Sequence, residues 1–95
     1  MSEQREINGQ CLCGEVTVTA TVTDPVMRAC HCDMCRRHTS SMFMSLPAEN
    51  IEFKGPTKTF QSSEWAERGF CGTCGSTLWY GMTGNGHINP SAGLF

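Results

Sequence analysis

Short runs of alternating residues are the clearest secondary-structure pattern in this chain. Between positions 16 and 23, valine or alanine alternates with threonine, and this period of two predicts a strand. A short apolar run over 42–46 stops at Pro47 and predicts a buried strand. Glycine, proline, asparagine and serine recur at short intervals, and no segment sustains a period of 3.6 residues. The pattern therefore predicts a mainly β fold.

The remaining strands are predicted where short runs lie between turn residues. They are a strand over 26–29, an edge strand over 51–53, its hairpin partner over 57–61, a strand over 77–81 and a last strand from 87. Turns are predicted at 24–25, at 47–50 and at 84–86, where the sequence is Gly-Asn-Gly. The segment 62–68 fits either one helical turn or a loop.

Length and charge limit what the chain can be. Its 95 residues are expected to form one domain over 1–95, because two separate cores would each be too small. The net charge is −2 and no Lys/Arg run occurs, so we expect no nucleic-acid partner. The polar N-terminus shows no signal segment, and no apolar run reaches the roughly 18 residues of a membrane span. We therefore expect a cytoplasmic protein that does not enter a membrane.

The seven cysteines indicate metal ligation. Disulfides are the weaker alternative, because the number is odd and cytosolic thiols stay reduced. Cys11 and Cys13 would point to the same side of an extended strand, within reach of one ion. Cys71 and Cys74 form a C-x-x-C motif in the sequence CGTCG, whose glycines permit a tight turn beneath a metal. The two pairs together supply the four sulfurs of a closed structural zinc site.

A third cluster, CHCDMC, places Cys30, Cys32 and Cys35 within six residues. Three sulfurs can hold one face of a zinc ion and leave a fourth position for water or substrate, as in catalytic zinc sites. Three thiolates leave Zn²⁺ with a net charge of −1, which suits thiol chemistry better than activation of water. Spacing alone leaves the partition open, because Cys30 or Cys32 could complete the other site. His31 is a less favoured fourth ligand or a proton shuttle.

At these clusters the chain resembles the glutathione-dependent formaldehyde-activating enzyme family, whose domain also occurs in centromere protein V. The matching stretches are GQCLCGEV at 9–16, CHCDMCR at 30–36 and GFCGTCGSTL at 69–78. The resemblance implies a small zinc-stapled β-sheet domain, of the superfamily shared with methionine-sulfoxide reductase B and a Rab-binding accessory factor. It also implies two zinc ions. The structural zinc would be held by Cys11, Cys13, Cys71 and Cys74, and the catalytic zinc by Cys30, Cys32 and Cys35.

The activity that the resemblance implies is carbon–sulfur lyase chemistry on an adduct of a thiol and an aldehyde, such as S-hydroxymethylglutathione. Glutathione would then be the small-molecule thiol substrate. Its carboxylates could be bound by Arg28, Arg36 or Arg37, with a solvated role favoured for two of the three. Met34 is expected to line the catalytic pocket. Family members usually continue beyond the position of Phe95, so a C-terminal extension is expected to be lacking here.

Several alternatives compete with this reading. A non-catalytic zinc-binding module that binds another protein would have closed, buried metal shells, whereas an enzyme needs an open position in a cleft. A nucleic-acid-binding zinc ribbon is disfavoured by the acidic balance. A methionine-sulfoxide reductase would need a cysteine free of metal. Default core packing is expected for the aromatic residues Trp65, Phe70, Trp79 and Tyr80 and for the methionines Met27, Met42, Met44 and Met82.

Overall fold

Strands make up most of the regular structure, as the sequence pattern predicts. The computed structural model describes residues 4–24, 26–84 and 86–95, and over these ranges it contains nine strands, one α-helix and one 3₁₀-helix. The strands are β1 Arg5–Gln10, β2 Thr17–Val22, β3 Arg28–Cys30, β4 Phe43–Ser45, β5 Glu49–Lys54, β6 Thr57–Gln61, β7 Ala66–Cys71, β8 Thr77–Met82 and β9 Ile88–Pro90. The α-helix, α1, is Asp33–Thr39, and the 3₁₀-helix is Ala92–Leu94.

The strands form three antiparallel sheets. Their orders are β1-β2-β5, β3-β4 and β6-β7-β8-β9. β2 is the central strand of the first sheet, and its Val18, Ala20 and Val22 are buried while the alternating threonines are not. This is the one-sided burial that a period of two produces. The predicted strand over 16–23 is thus confirmed within one residue at each end.

β1 is a strand that the sequence pattern did not predict. Its residues are mostly polar and mostly exposed, so it lacks the apolar alternation that marks β2. It nevertheless pairs with β2 along its whole length, from Arg5 opposite Val22 to Gln10 opposite Thr17. Backbone hydrogen bonds to β2 hold β1 in place. Because backbone pairing does not depend on which side chains are present, the sequence pattern did not predict this strand.

The predicted hairpin between 51–53 and 57–61 is wrong. β5 is an edge strand, as expected, but β6 pairs with β7 in another sheet, with Thr57 opposite Cys71. Gly55 lies between the two strands with φ of 118°, and its α-carbon packs against the backbone of Glu15 too closely for a side chain. At Gly55 the chain therefore leaves one sheet and enters the next instead of folding back.

α1 is also absent from the sequence prediction. It has only seven residues, which is two turns, too short to display a helical period. Cys32 caps its N-terminus, and Ser40 ends it with a left-handed φ of 62°. The ambiguous segment 62–68 is a loop up to Trp65 and then enters β7. Within the described ranges, no helix combines the length and apolar character needed to cross a membrane.

The main core cluster includes two of the seven cysteines. Cys11, Val16, Cys71, Leu78 and Trp79 form a buried group. The Trp79 ring packs 4.8 Å from that of Phe53, which confirms the predicted core role of Trp79.

Other predicted core residues lie at the surface. Trp65 is 50% exposed because it precedes β7 in a loop, so its core assignment is wrong. Met27, Met42 and Met44 are exposed as well. Phe43 is the buried residue of β4, and the period of two turns Met42 and Met44, on either side of it, toward solvent.

Candidate metal centres

Four sulfurs meet at one end of the third sheet, and we call this group the quartet. Cys11 and Cys13 lie in a turn after β1 and not on a strand as predicted, because the Gly14 N–H folds back to donate to the Cys11 carbonyl at 3.1 Å. Cys71 ends β7, and Cys74 lies in the turn toward β8. The four sulfurs all lie within 4.8 Å of one another.

The distances within the quartet suit a tetrahedral zinc ion. Sγ of Cys11 lies 3.5 Å from that of Cys13 and 3.7 Å from that of Cys71, and the Cys13 and Cys71 sulfurs are 3.8 Å apart. Sulfurs about 2.3 Å from a central zinc are about 3.8 Å apart in a regular tetrahedron. The donor set and its spacing therefore fit zinc.

Backbone N–H groups and one hydroxyl form hydrogen bonds to three of the four quartet sulfurs. The Val16 N–H donates to the Cys11 sulfur at 3.3 Å, and the Thr73 and Cys74 N–H groups both donate to the Cys71 sulfur at 3.4 Å. A hydrogen bond from Ser76 lowers the pKa of Cys74 to about 5. These donors stabilise negative charge on sulfur, which metal binding needs.

The other three sulfurs gather around the start of α1, and we call them the trio. Cys30 ends β3, Cys32 caps α1 and Cys35 lies in the first helical turn. The Cys35 N–H donates to the Cys32 sulfur at 3.4 Å, so the same contact starts the helix and holds two of the thiols together. The three sulfurs lie within 4.8 Å of one another, and His31 is not part of this group.

One side of the trio is exposed to solvent and the other side is buried. Cys30 and Cys32 are exposed, whereas Cys35 is 2% exposed. The Cys35 backbone N–H lowers the pKa of Cys32 to about 7, and burial raises the pKa of Cys35 to about 11. Against that burial, Arg68 donates from Nη1 to the Cys35 sulfur at 3.3 Å. The arrangement could hold a metal with a ligand position facing solvent.

Comparison with known proteins decides the family. The family model described as glutathione-dependent formaldehyde-activating enzyme matches residues 6–93, nearly the whole chain. The chain belongs to this family. It is also 35% identical over 81 residues to a protein of Schizosaccharomyces pombe described as an uncharacterized lyase. That alignment covers 82% of this chain but only 59% of the relative.

Two cavities are lined by sequence neighbours of the trio, although none of its three cysteines lines either cavity. One, of about 430 Å³, is lined by His31, Arg36, Arg37, Ser40, Ser41 and Met42. The other, of about 330 Å³, is lined by Met34, Arg37, His38, Phe60, Ser62, Arg68 and Phe70. Arg37 borders both cavities. The surface beside the trio is therefore cationic, with an apolar wall from Met34 and the two phenylalanines.

The structure separates the three arginines that the sequence grouped together. Arg37 borders both cavities next to the trio. Arg36 also borders one of them but pairs with Asp33 at 3.7 Å on the surface. Arg28 lies against a different cavity, whose other charged groups include Asp24 and Glu49. Of the three arginines, Arg37 is therefore the one that borders both cavities.

Arg68 is the residue that sequence reasoning missed. One feature of β7 indicates that Arg68 points inward. Arg68 follows Ala66 by two residues, so both side chains lie on the same side of the strand, and Ala66 is fully buried. A cation at an inward position of a strand needs a partner inside the protein. The identity of that partner depends on a contact between residues 33 positions apart, which spacing in the sequence does not supply.

Proposed function

We propose that this chain is a zinc-dependent carbon–sulfur lyase that acts on the adduct of a small thiol and an aldehyde, of the S-hydroxymethylglutathione kind. The quartet would hold a structural zinc and the trio a catalytic zinc. Membership of the family and the likeness to a protein described as a lyase support the reaction class. One geometric observation carries the proposal: Cys11 and Cys71 of the quartet lie in the core, whereas the trio has two exposed cysteines whose sequence neighbours His31, Arg36 and Arg37 line a cavity.

The reaction joins or separates a thiol sulfur and a carbonyl carbon. In the cleavage direction, the adduct hydroxyl loses its proton as the carbonyl forms, and the electrons of the C–S bond leave with sulfur. Zinc bound by the trio would supply stabilisation for the negative charge that develops on sulfur or oxygen. The three thiols of the chain would hold it so that the open position faces the exposed side of Cys30 and Cys32.

Residues around the trio would bind and orient the substrate. Arg37 presents a planar guanidinium that can hold a carboxylate through two hydrogen bonds. His31 borders the same cavity and could carry the hydroxyl proton to water. Holding the two reacting groups in one cavity lowers the entropy cost of their encounter.

Exchange NMR with carbon-labelled formaldehyde and glutathione tests this function directly. The zinc-loaded protein should accelerate the interconversion of the free reactants and S-hydroxymethylglutathione, and elemental analysis should give two zinc ions per chain. Cys32→Ser should abolish the acceleration, whereas Glu52→Gln, a change at an exposed ion pair, should retain it. Unchanged exchange rates with fully loaded protein would exclude this substrate.

A non-catalytic module that binds another protein is the second candidate, and one surface favours it. Leu12, Met42 and Met44 are exposed and border an open groove of about 630 Å³. Exposed apolar patches of this kind often mark protein contacts. Met44 lines the groove but neither cavity near the trio, so Met44→Gln should leave lyase activity intact and weaken only the binding of a protein in the groove.

A further inference from the structure

Arg68 is a buried cation without a carboxylate partner among the described residues. It is 3% exposed, and it lies in the middle of the third sheet, opposite Phe60 on β6 and Tyr80 on β8. The ion pairs found in the described part of the chain are Arg36 with Asp33 and Lys54 with Glu52, both at the surface. An isolated buried charge is strongly unfavourable, so Arg68 requires a negative group of another kind.

The contacts of Arg68 point toward the trio. Nη1 donates to the buried sulfur of Cys35 at 3.3 Å, and the guanidinium carbon lies 4.5 Å above the centre of the Tyr80 ring. Nε is buried without a partner. The ring holds the guanidinium plane in one orientation, which directs the Nη1 donor at sulfur. The Cys35 sulfur is thus the polar atom that the Arg68 guanidinium contacts.

We propose that Arg68 is a positioning residue that supplies the counter-charge of a metal-bound trio, an inference that rests on the proposed function. Three thiolates around Zn²⁺ carry a net charge of −1, and one guanidinium neutralises it. This contact stabilises both groups, because the buried Arg68 cation gains an anion and the buried Cys35 sulfur gains a hydrogen-bond donor. It also holds Cys35 on the closed side, which leaves the open side at Cys30 and Cys32.

The hydrogen bond has a chemical consequence for the metal. A donor on a thiolate withdraws electron density from sulfur, so the sulfur donates less to zinc and the zinc remains a better electrophile. A trithiolate site is otherwise a weak Lewis acid. β7 also connects the two clusters, because Arg68 and Cys71 are three residues apart, about 10 Å along the strand.

Cobalt(II) bound at the trio provides the test. Zinc is retained in the quartet, the trio is emptied with a mild chelator and reloaded with cobalt, and elemental analysis confirms the composition. Arg68→Met should weaken cobalt binding about 10–100-fold, the usual effect of losing a residue that supports a metal ligand. It should also shift the sulfur-to-cobalt charge-transfer band to longer wavelength, because sulfur without its donor is more easily oxidised. A residue that only fills space would not move this band.

Two variants serve as matched controls. Arg28→Met removes an equal charge from an exposed position two residues before Cys30, and solvent screening should limit its effect to about threefold. Arg68→Lys keeps the charge without the planar fork and should bind cobalt better than Arg68→Met.

The outcomes separate this inference from the proposed function. A wild-type trio that takes up no cobalt overturns both. Wild-type uptake with an unchanged affinity and band in folded Arg68→Met overturns the role of Arg68 alone. Should Arg68→Met not fold, the wild type loaded with NMR-active cadmium decides the question. Scalar coupling from cadmium to the Arg68 Hη protons supports the hydrogen bond, and its absence overturns it.

Discussion

Removal of metal from the quartet should sharply destabilise the protein. The quartet joins the turn after β1 to the end of β7, and its Cys11 and Cys71 belong to the main buried cluster. Cys11 and Cys71 are 60 positions apart, so a metal that both bind closes a long loop in the chain. Without the metal, no cross-link joins these two regions, because their cysteines are free thiols.

The size of the effect follows from the chain entropy of that loop. A cross-link that closes about 60 residues removes denatured-state entropy equivalent to about 4 kcal/mol at room temperature. Small domains are stable by only about 5–15 kcal/mol, so this is a large share of the total. For a domain of this length, about 4 kcal/mol corresponds to a fall of about 15–30 °C in Tm.

Tryptophan fluorescence gives the assay. The chain has two tryptophans, and Trp65→Phe leaves only Trp79, which is 7% exposed and packs in the same cluster as Cys11 and Cys71. Thermal unfolding is followed by the emission of Trp79 before and after chelation, with metal content measured at each step. We expect a red shift and the lowered Tm when the quartet is emptied.

A fall in Tm of less than about 5 °C, with the quartet shown to be empty, would refute this reasoning. Cys32→Ser provides the control, because the trio closes only a short loop within six residues and should contribute less to stability. A larger effect of Cys32→Ser than of quartet depletion would also contradict the assignment of the structural role.

Three further predictions concern packing, pH and substrate binding. Gly69→Ala should cost about 1–3 kcal/mol in urea denaturation, because a β-carbon there would overlap the indole of Trp79. Zinc affinity of the trio, measured by chelator competition, should rise at least about tenfold per pH unit near neutrality, because metal must displace the proton that Cys35, with its pKa of about 11, retains. Arg37→Met should raise KM about 10–100-fold with little change in kcat, because it removes a charged hydrogen bond that is equally strong before and during reaction.

Each of these has a matched comparison. Gly84→Ala places a β-carbon in open space, so it should be nearly neutral, and an equal loss at both glycines would contradict the packing argument. An affinity of the trio that does not vary with pH would show that its thiols are already ionised without metal. Arg28→Met should leave KM unchanged, and a change as large as that for Arg37→Met would point to a general effect of charge.

The sequence predicted features that are encoded locally. β2 was found because valine or alanine alternates with threonine over its whole length. The C-x-C and C-x-x-C spacings marked the clusters, the resemblance to the family implied a division into four and three, and the structure brings the sulfurs into the same two groups. Their roles as zinc ligands stay predictions. The sequence did not predict α1, because it is too short to show a helical period, or β1, because it has no apolar face.

By itself, then, the sequence determined which thiols stand close together within each short cluster, because the covalent chain limits how far residues two or three apart can separate. Only the tertiary structure decided that β6 joins β7 rather than β5, and that Arg68 meets Cys35 across 33 positions. Such contacts depend on strand order and register, which are set by the burial of many side chains at once. The chemistry of the ligands is local, whereas their electrostatic surroundings belong to the whole fold.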